Sequence, residues 1–145
     1  MRCVAALLCG LVLWAPSSAE PAGAQFMPQL VAQSFVQAML EGEIEAALPL
    51  CARRTNLDGR WLEGAPLGVA LRRASGRVRA LGLKLRRVQI LSRAQMMKRF
   101  GKPPARIKGA IRAGCRIALA RLSRAGLVLV LCKEKRFWRV TALTD

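Results

Sequence analysis

Apolar residues recur at helical spacing over Met27–Leu40: Val31, Phe35, Ala38 and Met39 share one side, and Gln29, Gln33 and Gln37 lie between them. That period predicts an amphipathic helix packed on a core. Pro28 suits its first turn, where a missing N–H costs nothing, and Gly42 ends it. A second, shorter helix is expected from Glu43 to about Cys51, with Ile44, Ala47, Leu48 and Cys51 on one side. Pro49 should kink it or end it early. Asn56–Trp61 contains Asp58-Gly59, a pair suited to a turn with positive φ, after which Trp61 and Leu62 are expected to return to the core. From Leu67 to Leu81 the helical period resumes through Leu67, Ala70, Leu71, Ala74, Val78 and Leu81. Gly76, about 1 kcal/mol worse than alanine in mid-helix, predicts a division into two pieces.

After Gly82 the period changes to two. Leu83, Leu85 and Arg87 share one face and Lys84, Arg86, Val88 and Ile90 the other, which predicts a strand whose buried face shifts at a bulge. Ser92 can cap a short helix through Phe100, with Gly101 as a left-handed stop and Lys102-Pro103-Pro104 as a rigid link. Cys115–Leu122 and Leu127–Lys133, separated by Ser123–Gly126, read as a hairpin, and the wholly apolar Leu127–Leu131 as a central strand. A last strand, Arg136–Leu143, puts Trp138, Val140 and Ala142 on one side, facing the helices. Helices first and an antiparallel sheet afterwards predict an α+β domain.

The N-terminus follows another pattern. Arg2, the apolar run Val4–Trp14, Pro16 and then small residues form the order of a secretory leader over residues 1–24, cleaved after Ala19 or Ala24. The run falls short of the roughly 20 residues that span a bilayer, so no transmembrane segment is expected after cleavage. Residues 25–145 make one domain, periplasmic or extracellular. Cys51, Cys115 and Cys132 remain in it. Exported chains can form disulfides, and Cys115 and Cys132 flank the hairpin and could bridge it; inert burial is the alternative for all three. No C-x-x-C spacing supports a redox dithiol or a zinc site.

Charge widens the range of partners. The net charge is +17, and losing Arg2 and Glu20 with the leader leaves it unchanged. Contact with an anionic surface is one reading, through Arg72, Arg73, Arg77, Arg79, Arg86 and Arg87 and through Lys98, Arg99, Lys102, Arg106 and Lys108. Only Phe100 interrupts these series, so specific nucleic-acid recognition, which needs stacking aromatics, is disfavoured. A chain without histidine lacks the commonest neutral-pH base and metal ligand, and neither metal nor cofactor is expected. Asp58 and Glu63 flank Trp61 and are the weak catalytic candidates: a carboxylate in an apolar mouth gains a raised pKa and can act as a base. Turn formation by Asp58 and surface pairing by Glu63 are the structural readings.

Across residues 27–145 the chain resembles the NTF2-like (SnoaL-like, cystatin-like cone) superfamily. The parallels are Phe35–Gly42, the short helix Ile44–Leu48, the turn Asp58–Trp61 and the closing strand Phe137–Asp145. The resemblance implies a curved antiparallel sheet wrapped around N-terminal helices to enclose an apolar pocket. Its enzymatic members, isomerases, cyclases and dehydratases, place Asp or His inside the cone. The resulting expectation is an exported domain that binds an apolar ligand or protein partner without catalysis. Val31, Phe35, Trp61, Leu71, Val88, Leu129, Trp138 and Val140 would form the core or pocket wall. A polyanion-binding protein using the arginine faces and a cofactor-free enzyme using Asp58 or Glu63 are the alternatives, and a homodimer is compatible with each. Without a cavity, an assembly or scaffold role becomes the better reading.

Overall fold

The structure, a computed structural model, describes residues 22–145. The expected leader lies almost wholly outside them. The first helix, α1 (Ala22–Glu41), ends at Gly42, whose φ of 80° reverses the chain. Two short turns of helix follow, α2 (Ile44–Ala47) and a 3-10 turn over Leu48–Leu50. Pro49 sits inside that second turn, so the helix expected to reach Cys51 stops early.

The next segment departs from the sequence reading. β1 (Cys51–Leu57) and β2 (Arg60–Glu63) form a hairpin across Asp58 and Gly59, whose φ values of 49° and 87° match the two-residue turn that twisted strands favour. Its burial along β1 comes in pairs rather than alternating, so period two never shows. α3 (Gly64–Ala80) is one continuous helix through Gly76, because packing against α1 compensates for that glycine's propensity. β3 (Leu85–Ser92) follows, with its pairing shifted between Leu85 and Arg87 as a bulge. α4 (Arg93–Phe100) opens on a capping box: the Ser92 hydroxyl accepts from the Gln95 N–H at 3.1 Å while the Gln95 side chain accepts from the Ser92 N–H at 2.8 Å. Gly101 closes it. The Pro103-Pro104 link leads into a further turn, α5 (Ala105–Lys108). β4 (Arg116–Leu122), β5 (Gly126–Glu134) and β6 (Phe137–Thr144) complete the chain.

The six strands form one sheet in the order β2-β1-β6-β5-β4-β3. All neighbours are antiparallel except β1 and β6, which run parallel. The sheet is therefore mixed and open, with β2 and β3 at its edges, and the expected antiparallel cone of the NTF2-like superfamily is not what the chain forms. The cause is the early hairpin: it offers β1 as a partner, and β6 inserts between β1 and β5 instead of closing an antiparallel wall.

Both faces of the sheet are covered. On one side α1, α2 and α3 bury Phe35, Val36, Ile44 and Leu71 against Val88, Ala118, Leu129, Leu131 and Val140. On the other, residues 93–114 form a cap that buries Met96, Ile107, Ala110 and Ile111 against Leu91, Ile117, Val130 and Ala142. Alternation along the strands assigns each side chain to its face. A bulge in β6 breaks it once: Val130 pairs with Ala142 but Leu131 with Val140, leaving Thr141 extra, its hydroxyl donating to the Val130 carbonyl at 3.2 Å. Trp138 and Val140 consequently face the helices, whereas Ala142, expected beside them, faces the cap.

Candidate functional site

Of the residues expected to wall a pocket, Phe35, Leu71, Val88, Leu129 and Val140 are buried in the helix-side core, and Val31 and Trp138 pack at its margin. They fill that layer. The cone-shaped cavity for an apolar ligand is absent among the described residues. Two hollows are open depressions on the outside of the helical layer. One, of about 430 Å³, is lined by Gly42, Glu43, Ile44, Glu45, Ala46 and Arg72. Its neighbour, of about 390 Å³, includes Gln33, Gln37, Glu41, Leu50 and Leu85 and shares Glu43 and Ala46 with it. Trp61 lies outside the core on edge strand β2, 42% exposed, with the Arg54 guanidinium over its ring at 5.6 Å.

Neither candidate carboxylate lines these two hollows. Asp58 occupies the tight turn and accepts a hydrogen bond from Thr144 Oγ1 at 2.8 Å, with Arg106 at 3.9 Å. Arg106 also lies 4.0 Å from Asp145, so the trio fastens the cap to the turn and to the chain's end. Glu63 is exposed at the end of β2, where it precedes α3 without capping it through its side chain. The general-base reading needed a water-poor mouth, and both carboxylates sit in the open. A cofactor-free enzyme built on them has no support.

The basic residues do not gather on one face. Arg72, Arg73, Arg77 and Arg79 project from α3 on the helical side, whereas Lys98, Arg99, Lys102, Arg106 and Lys108 belong to the cap on the opposite side. Arg86 and Arg87 alternate on edge strand β3 between the two. Several are already engaged: Arg72 with Glu45 at 2.9 Å, Arg106 with Asp58, and Arg79 against Gly42. A single polyanion-binding face is thus not formed, and charge spread this evenly acts as a solvated surface.

Cysteine chemistry divides by sheet face. Cys115 and Cys132 sit one step beyond the Arg116–Leu131 pair and are joined by a disulfide that is buried on the cap side. The Cys132 sulfur lies 3.3 Å from Thr141 Oγ1 and 3.7 Å from the Ala110 carbonyl oxygen. Cys51 is buried on the helix side, its thiol donating to the Ala47 carbonyl at 3.7 Å. Burial pushes that thiol up to about 12, against the opposing pull of the Thr55 hydrogen bond and the Arg139 charge. A thiol held protonated at neutral pH is a poor nucleophile.

The polar groups missed by sequence reasoning cluster where β1 meets β6. Thr55 is fully buried and donates to the Ala52 carbonyl at 2.9 Å, Asn56 accepts from the Gly59 N–H at 2.8 Å, and Arg139 reaches the Pro49 carbonyl. These bonds hold the irregular β1 in place. Among the described residues, every buried side-chain polar atom has a partner, no group of three or more potential metal ligands forms, and no helix is long and apolar enough to cross a membrane. The chain matches no family model and no curated protein. Neither the cone superfamily nor an export signal draws support from that comparison.

Proposed function

We propose that the chain is an exported domain with an assembly or scaffold role, acting by presenting its outer surface to other proteins rather than by holding a substrate inside. The filled interior carries this reading. Both sheet faces are packed, the buried polar atoms are satisfied, and the hollows are open to solvent. A fold by itself does not assign a function, and among the described residues no interior site supplies one. Exposed Trp61, Met97, Phe100 and Phe137 belong to the residue types enriched in interface cores, and arginines lie over Trp61, Phe100 and Phe137 at 5.3–5.6 Å. Export is supported by the Cys115–Cys132 disulfide, since a reducing cytosol keeps such thiols apart, and by the leader-like order of the first residues.

The test is recovery of the protein from the cell envelope or medium with photo-crosslinking amino acids placed singly at Trp61, Phe100 and Phe137. A new N-terminus near Glu20 or Gln25 and a discrete protein adduct from at least one position are expected. Cytosolic protein that retains Met1 would overturn the export reading. Clean monomer from all three positions would overturn the scaffold reading.

A further inference from the structure

The cores on the two sides of the sheet are unequal. The helix-side core is built on two long helices, whereas the cap side depends on Met96, Ile107, Ala110 and Ile111 from short turns. Backbone bonds do not tie the cap down: the Gly101, Ile107, Ala110 and Cys115 N–H groups all donate within residues 97–115. Apart from packing, its ties are the Ser92–Gln95 capping box at its N-terminal root, the long ion pairs of Arg106 and the buried disulfide at its C-terminal root, where Cys115 leads into β4. Segments with few buried apolar side chains and local hydrogen bonds are the ones that open independently of the rest.

We propose that the Cys115–Cys132 disulfide is the latch of this cap, and that its two-electron reduction frees residues 93–114 from the sheet while the helix-side core stays folded. A small dithiol supplies the electrons. Its thiolate attacks one cysteine sulfur, the S–S bond breaks, and the departing sulfur takes up a proton. The second thiol of the reductant then closes on the mixed disulfide, releasing the other cysteine as a thiol and leaving the reductant as a cyclic disulfide. Both sulfurs are buried under the cap, so the attack itself requires the cap to lift. Once free, the cap uncovers Leu91, Ile117, Val130 and Ala142, an apolar strip across four strands. Cys51 cannot re-form the bridge, because the sheet separates it from both partners.

Hydrogen exchange on the purified chain, oxidised and in dithiothreitol, tests this. Amides of residues 93–114, Gly101 and Ile107 among them, should exchange about tenfold faster or more after reduction, with those of α1 and α3 unchanged. Ile107→Ala, with the disulfide intact, should speed thiol release by dithiothreitol by a similar factor, whereas Leu71→Ala in the other core should not. Equal loss of protection across α1, α3 and the cap, no loss anywhere, or reduction rates that follow Leu71→Ala instead would each overturn the latch. The wild-type comparison needs no variant to fold, and neither experiment depends on export or on a partner.

Discussion

At the scale of the residue, burial decides chemistry. Cys51 has an ordinary value of 9.0 and is held at about 12 by desolvation. Its folded pKa lies above its unfolded one, so its contribution is whole below about pH 9 and is lost as pH rises toward 12, where the unfolded thiol ionises first. Over that window the protein should lose roughly 1.4 kcal/mol per pH unit from this group. Urea midpoints at pH 8 and 10.5 should fall further for the wild type than for Cys51→Ala; equal falls would assign the loss to other groups. Ser75 makes a second residue-scale case. Its hydroxyl donates to the Met39 carbonyl at 2.6 Å, linking α3 to α1 in a buried setting. Ser75→Ala should cost about 1 kcal/mol in chemical denaturation.

At the scale of the element, local signals fixed ends better than faces. Ser92 and Gly101 delimit α4 as the sequence implies, the structure adding Gln95 to complete a capping box, and Ser92→Ala should destabilise by about 1 kcal/mol, with exchange rising first at the Gln95 amide. Gly42 is held by its dihedral, a φ of 80°, whereas the Arg79 guanidinium that a Cβ there would meet at 2.6 Å is the flexible end of a side chain and can swing aside. Gly42→Ala should therefore cost about 1–3 kcal/mol by thermal or urea unfolding. Faces were less legible. The bulge in β3 announced itself through the switch of apolar parity at Arg87, but the one in β6 left no such trace, and Ala142 was assigned to the wrong side. An alanine is equally at home on either face, so only the pairing with Val130 could place it.

At the scale of the molecule, the sheet is a partition between a large core and a small one. Phe35, fully buried in the large core, should cost about 3–5 kcal/mol when changed to alanine, enough to threaten the whole fold. Thiol titration of denatured, non-reduced protein comprising residues 25–145 should find one reactive thiol, Cys51; three would show that the bridge does not form. The cone expected from family resemblance failed at this scale. Its supporting pieces, an amphipathic helix, a short helix, a turn and a closing strand, are compatible with several ways of arranging a sheet. A parallel β1–β6 contact between residues far apart in the chain leaves no local mark. Nor does a cap: Met96, Ile107 and Ile111 sit among charged residues, and their common burial appears only when the second face of the sheet is seen.

The sequence by itself determined α1 and its stop at Gly42, α4 with its Ser92 cap and Gly101 stop, the C-terminal hairpin and the α+β class, because each depends on periodicity or on a residue at a turn; the unbroken run of α3 and the turn α5 it did not. Tertiary structure decided the early hairpin, the parallel junction, the filled interior and the separation of Cys51 from its two fellows. Those depend on which surfaces meet, and a hydrophobic side chain carries no record of which of two faces it will cover.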